Sequence, residues 1–350
     1  MKISDLGEFG LIKKIKEQSK GRSPSTLIGI GDDAAALSLS PSKKLLATTD
    51  MLLEGVHFDL SYTDLYSLGW KSAAVNLSDI AAMGGIPRFC LTALGIPSTI
   101  SVEQIKEFYK GFNALCRKYH VDLVGGDTCR SEKGLVVSVT AIGEVEKSKM
   151  LTRAGAQPGD LIFVTGTLGD SAAGLELLKA GYRGHGTGGR GKGSKSAIRN
   201  PQSEIARLIT KHLQPVPRTE WGRKIALSGC ATAMIDISDG LSSDLGHICE
   251  ENRVGAEIRA DQIPFSKDIH KAADHLKAIP LHYVLSGGED YELLFTVPPS
   301  KLKKFLSLKI SSTQIGTIIA GNKMFLRDDG KRVVLKPKGF NHFARAEYSL

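Results

Sequence analysis

Two α/β-type domains in tandem are what this sequence predicts, and three observations lead there. Short apolar runs of strand length alternate with longer helical patterns in both halves of the chain. A turn-rich stretch near the middle, Ala154-Gly155-Ala156-Gln157-Pro158-Gly159-Asp160, interrupts that alternation, so the domains are expected to span residues 1–150 and 151–350. The full length of 350 residues suits two ordinary domains, each able to bury its own core.

The elements follow in order. Apolar and basic residues recur at helical spacing from Phe9 to Lys20 until Gly21-Arg22-Ser23-Pro24 breaks the pattern, and a strand follows at Leu27–Ile30. A second strand is expected at Lys44–Asp50. Leu65–Met83 reads as a helix with Ala73, Ala74, Leu77, Ile80 and Ala81 on its apolar side, stopped by Gly84-Gly85-Ile86-Pro87. Arg88–Gly95 is a strand, and Ser101–Tyr119 an amphipathic helix capped by Ser101 with Glu103 in its first turn. Val121–Asp127 and Leu135–Val145 complete the strands of the first half. In the second half, strands are expected at Leu161–Val164, Ala233–Ile237 and Tyr291–Val297. Helices are expected up to Ala180 and over Pro201–His212 and Leu241–Glu250.

Composition narrows the function classes. Hydrophobic residues make up 41% and charged residues 24% of the chain, as in soluble globular proteins. No run approaches about 18 apolar residues, and Met1-Lys2-Ile3-Ser4-Asp5 lacks a signal-peptide core, so a cytoplasmic location is expected. The five cysteines, Cys90, Cys116, Cys129, Cys230 and Cys249, never form a C-x-x-C pair and read as reduced packing residues. The net charge of +9 would suit a nucleic-acid partner, yet Arg183, Arg190, Lys192, Lys195 and Arg199 supply five of those charges within residues 181–200. That Gly/Lys/Arg-rich segment has no apolar period and reads as a surface insertion.

The chemistry is carried by acids. Gly31-Asp32-Asp33 closes the first apolar run, and taken alone the pair reads as a solvated turn. The arrangement recurs, however: Asp33, Asp50, Asp79, Asp127, Asp236 and Asp239 all lie at expected strand ends, beside glycine, or on the helix face that Asp79 shares with Asn76. Six acids so placed favour a site for a hard cation, and Thr48-Thr49-Asp50 adds hydroxyl oxygens suited to Mg²⁺ holding phosphate. The motif G-x-x-x-x-G-K-[ST] is absent, and G-x-G-x-x-G spacing occurs only within the Gly/Lys/Arg-rich segment, at Gly184–Gly189 and Gly186–Gly191, away from any expected strand-to-helix turn. Arg153 reads either as a surface charge or as a fork for phosphate at the domain junction. His57 on its own reads as a structural hydrogen-bonding residue.

Beyond these residues, a set of motifs resembles the thiamine-monophosphate kinase family of the aminoimidazole-ribonucleotide-synthetase-like superfamily. It comprises Gly29-Ile30-Gly31-Asp32-Asp33, Thr49-Asp50, Gly55-Val56-His57-Phe58 and Asn76-Leu77-Ser78-Asp79-Ile80-Ala81-Ala82-Met83-Gly84. It continues with Gly125-Gly126-Asp127-Thr128, Leu151-Thr152-Arg153, Asp236-Ile237-Ser238-Asp239-Gly240 and Ser286-Gly287-Gly288-Glu289-Asp290-Tyr291. Order and spacing match over nearly the whole chain; the 181–200 insertion is the main departure.

The resemblance implies an N-terminal α/β domain whose sheet pairs in a homodimer and a C-terminal α+β domain closing over the site. It implies ATP-dependent, Mg²⁺-assisted phosphorylation of thiamine monophosphate to thiamine diphosphate, the last step in making that cofactor. Carried over by motif, Asp33, Thr48, Thr49, Asp50, Asp79, Asp127, Asp236 and Asp239 are implied Mg²⁺ ligands. Gly126, Asp127, Arg153 and Ser238 are implied ATP contacts, and His57, Glu289 and Phe340 implied substrate contacts. The acceptor is itself a phosphate monoester, largely dianionic near neutral pH since its second pKa is about 6, so neither a general base nor a nucleophilic side chain is expected. Another ATP-dependent member of the superfamily and a nucleic-acid binder acting through 181–200 are the competing readings. The first would act on a different acceptor, and the second leaves the six acids unexplained.

Overall fold

The computed structural model describes residues 3–19, 23–28, 30, 35–183, 196–197 and 203–340. Asp32, Asp33 and residues 184–195 and 198–200 of the 181–200 segment lie outside the described residues.

The first sheet has four strands in the order Lys43–Leu53, Val136–Glu146, Ile86–Ile96, Asp122–Arg130. The first two pairings are antiparallel and the last is parallel. A parallel pair needs a crossover, and the helix Val102–Lys118 supplies it, begun by a capping box between Ser101 and Gln104. That helix and the helix Leu65–Ala82 cover one face of the sheet. Leu68, Leu77, Phe108, Phe112 and Leu115 pack there against Leu94, Val137 and Val139, all buried.

Along Lys43–Leu53 the two-residue period turns Leu46, Thr48, Asp50 and Leu52 toward the helices. Leu45, Ala47, Thr49 and Met51 face away, with Leu45 55% and Met51 54% exposed. Two expected strand ends are corrected here: Asp50 lies within its strand, which runs on to Leu53, and Asp127 within one that runs to Arg130. Register pairing continues past both acids, because a carboxylate pointing out of the sheet leaves the backbone ladder intact.

The second sheet has seven strands in the order Ala233–Asp236, Leu293–Val297, Leu161–Thr165, Ser312–Ile319, Gly255–Arg259, Met324–Asp328, Lys331–Leu335. All pairings are antiparallel except that of Gly255–Arg259 with Met324–Asp328. Ile162, Val164, Ile235 and Leu294 face a core shared with the helices Asp170–Lys179, Glu204–Leu213 and Leu241–Asn252. Phe163, Met234, Leu293 and Phe295 face the helix Thr219–Ser228 and Ala82 on the other side. This mostly antiparallel sheet with layered helices is the α+β half, and the first sheet with its crossover helix is the α/β half.

The helix Leu65–Ala82 is the shared wall between the halves. Trp70 Nε1 donates to the Pro215 carbonyl at 2.8 Å and Ser78 Oγ to Asp236 at 2.6 Å, while Arg223 reaches the Gly84 carbonyl and Glu146. Four of the five thiols are buried, Cys129 is exposed, and all are free. Among the described residues, no helix is long and apolar enough to cross a membrane.

Candidate active site

Three acids converge where the helix Leu65–Ala82 meets both sheets. Asp79 accepts a hydrogen bond from the Thr48 hydroxyl, Asp236 accepts one from Ser78, and the Asp50 backbone N–H donates to Asn76 Oδ1 at 3.1 Å. Helical spacing places Asn76 and Asp79 on one flank, facing the strand that carries Thr48 and Asp50.

Burial and crowding set their charge. Burial, then the Asp79 charge, pushes the Asp50 carboxyl from 3.8 up to about 6. Burial raises Asp79 as well, opposed by the Thr48 hydroxyl and the nearby Arg153 guanidinium. Asp236, 4% exposed, is raised well above the usual range by burial and by Asp79. Three carboxylates raised by burial, two of them also by the Asp79 charge, form an oxygen-only donor set whose repulsion a hard divalent cation relieves.

The loop after Asp236 carries the site into a second cluster. Asp244 accepts three backbone N–H bonds, from Ser238, Asp239 and Gly240 at 3.1–3.2 Å, and so shapes the loop that presents Ser238 and Asp239. Even with those three donors, burial and the neighbouring Asp239 push Asp244 up to about 7. The Glu289 N–H donates to the Ser238 carbonyl at 2.7 Å and the Tyr291 N–H to that of Ile237 at 2.8 Å, tying the 236–240 loop to 288–292. The Phe340 N–H donates to the Asp239 carbonyl. The Phe340 ring lies 6.2 Å from that of His57, whose Nδ1 accepts from the Leu53 N–H at 3.0 Å. Tyr291 lies buried between the two clusters: burial, then Glu289, Asp50, Asp236 and Asp79, all hold its hydroxyl protonated.

The structure therefore brings together Thr48, Asp50, Asp79, Asp236, Ser238 and Asp239, with the Arg153 charge reaching Asp79, and gathers His57, Glu289 and Phe340 beside them. Thr49 is turned away: its hydroxyl donates to the Val139 carbonyl on the opposite sheet face. Asp127 is exposed on the edge strand, three strands from Lys43–Leu53, in the row Met51–Ser138–Ala93–Asp127 that adjoins the row of Asp50. At about 4.8 Å per strand that separation is about 14 Å. Beside it Gly126 meets a backbone that admits no side chain, since a Cβ there would sit 1.9 Å from the Thr92 carbonyl oxygen. Asp33 lies outside the described residues.

Sequence reasoning passed over four residues of the site: Ser78, Asp244, Lys71 and His212. Ser78 stands inside a motif that was visible, one residue before Asp79, and Asp244 lies four residues past the end of another, Gly240. Lys71 and His212 carry no such signal. Lys71, 2% exposed, places Nζ 2.8 Å from Glu289 Oε2, and His212, also 2% exposed, lies against both.

Comparison with known proteins identifies the fold and the family. Residues 31–145 match the AIR synthase related protein N-terminal domain and residues 157–329 its C-terminal domain. Thiamine-monophosphate kinase from Aquifex aeolicus is 39% identical over 346 residues, covering 98% of this chain and 100% of that one. The crystal structure of thiamine-monophosphate kinase from Stenotrophomonas maltophilia K279a superposes with a TM-score of 0.78 at 36% identity, covering 94% and 98% of the two chains. AaThiL complexed with AMPPCP and TMP superposes with a TM-score of 0.74 at 37% identity, covering 98% and 99%. With both halves of the fold matched and near-complete coverage of such relatives, the chain belongs to the thiamine-monophosphate kinase family.

Proposed function

We propose that this protein transfers the γ-phosphoryl group of ATP directly to the phosphate of thiamine monophosphate, giving thiamine diphosphate and ADP. The observation that carries the reading is the group of half-buried Asp50 and Asp79 with buried Asp236, joined by a hydrogen-bonded loop to Glu289, His57 and Phe340. One cluster suits polyphosphate with its cation; the other offers a carboxylate and an aromatic ring to a positively charged heterocycle. The similarity to AaThiL, complexed with AMPPCP and TMP, supports the pairing of these two ligands.

In this reading several Mg²⁺ ions would be held by Asp33, Thr48, Asp50, Asp79, Asp127, Asp236 and Asp239, with Thr49 taking part through its backbone. Bound Mg²⁺ screens the repulsion between two polyanions and the charge that builds on the transferred group. Gly126 lets the backbone approach ATP, Asp127 and Ser238 border it, and the Arg153 guanidinium holds phosphate oxygens. His57, Glu289 and Phe340 orient the thiamine end, so that the acceptor oxygen lies in line with the γ-phosphorus. Because the acceptor oxygen is already ionised, no side chain has to remove a proton or form a covalent intermediate. Residues 1–150 carry most of the phosphate site and 151–350 close over it. The open sheet face, with Leu45 and Met51 exposed, is where a second copy would pair in a homodimer.

The test is acceptor specificity. With ATP and Mg²⁺, ADP release should require thiamine monophosphate and should not be supported by unphosphorylated thiamine or by aminoimidazole-type acceptors. Release with the latter alone would move the protein to a different member of the superfamily.

A further inference from the structure

Lys71 is a buried cation from the first half of the chain placed against a carboxylate of the second. It projects from the helix Leu65–Ala82, one face of which also carries Ser78, seven residues on, bonded to Asp236. Its Nζ donates to Glu289 Oε2 at 2.8 Å and lies 3.4 Å from His212 Nε2. An ammonium can only donate, so Nε2 of His212 accepts and the imidazole proton sits on Nδ1. That Nδ1 is 3.2 Å from the same Glu289 oxygen and 3.1 Å from Ser171 Oγ. Burial, then Lys71, pushes His212 down to about 3, which keeps the ring neutral in this role. Lys71 thus donates to Oε2 of Glu289, with the His212 ring packed beside that oxygen and its Nδ1 paired with Ser171 Oγ, while the Glu289 side chain is still 24% exposed. Burial alone would raise Glu289; Lys71, by its charge and its hydrogen bond, brings it below the usual range. Glu289 also holds a left-handed backbone at φ +66°, a conformation that surrounding bonds must maintain.

We propose that Lys71 is a positioning residue for substrate recognition: with His212 it fixes Oε2 of Glu289 so that the other oxygen is presented, ionised, to the positively charged ring end of thiamine monophosphate. This rests on the reading of Glu289 as a substrate contact. No carboxylate so held would need to reorient when the cation arrives, and the same helix that lines the phosphate cluster sets the distance between the two ends of the substrate.

The experiment compares Lys71→Met, Glu289→Gln and the double variant by steady-state kinetics in both substrates and by calorimetric binding of thiamine monophosphate without ATP. Lys71→Met should raise KM and Kd for thiamine monophosphate by about ten- to a hundredfold, leaving kcat and the KM for ATP within about threefold. The double variant should be no worse than the weaker single variant, because both changes remove one interaction. Equal rises in both KM values, a fall in kcat alone, or additive losses would overturn the proposal, as each marks a general structural role. If Glu289→Gln weakens thiamine monophosphate and Lys71→Met does not, the Lys71 proposal alone fails. If Glu289→Gln has no effect, the substrate-contact reading fails with it. Should Lys71→Met not be obtained folded, Lys71→Gln, which retains a donor and loses the charge, carries the same expectation.

Discussion

Replacing Asp50 by asparagine separates the two demands that the acid cluster makes on this protein, stability and turnover. The substitution keeps shape and removes one charge. In the folded chain burial and Asp79 lift the Asp50 carboxyl from 3.8 to about 6, the reverse of the usual salt-bridged aspartate. The sign follows: below pH 3.8 the group is protonated in both states, between 3.8 and 6 the unfolded chain loses its proton first, and above 6 the full cost of the buried charge applies. That cost is on the order of 3 kcal/mol, from the difference between 3.8 and about 6. Asp50→Asn should therefore unfold at higher urea than the parent at pH 7.5 in EDTA, the gain shrinking to nothing near pH 4. Millimolar Mg²⁺ should stabilise the parent more than the variant, and turnover should fall by about a hundredfold or more. A variant no more stable than the parent above pH 6 in EDTA, or one with normal turnover, would refute this account of the cluster.

Two further outcomes follow from neighbouring residues. His212 is lowered from 6.5 to about 3, so the unfolded chain takes up a proton that the folded chain refuses. Stability should be lost as pH falls from 6.5 toward 3, by on the order of 5 kcal/mol in total, and His212→Gln should flatten that slope in urea midpoints measured from pH 4 to 7. An unchanged slope would remove His212 as its source. Thr48→Val strips the hydroxyl from Asp79 and should cut turnover by about tenfold, whereas Thr49→Val, on the opposite face, should stay within about twofold; equal losses would contradict the strand geometry.

What the sequence could and could not show has physical causes. Asp79 with Asn76 was legible because helical spacing alone puts them on one flank, and Asp236 because its strand does stop there. Asp50 and Asp127 looked like strand ends because an acid after an apolar run resembles a terminus, yet the ladder runs past both. The resemblance grouped Thr48 with Thr49, while the two-residue strand period separates their side chains by a whole sheet. Lys71 was hidden most completely: in an apolar helix a lone lysine reads as a surface charge, and its partner Glu289 lies 218 residues away. Only tertiary packing brings such a pair together.

The most direct test of the central claim is to quantify thiamine diphosphate and ADP together, by chromatography of reactions containing the protein, ATP, Mg²⁺ and thiamine monophosphate. Equal amounts of both products, lost when Mg²⁺ is chelated and in Asp50→Asn, are predicted. ADP without thiamine diphosphate, or no product above a reaction lacking the protein, would contradict the account.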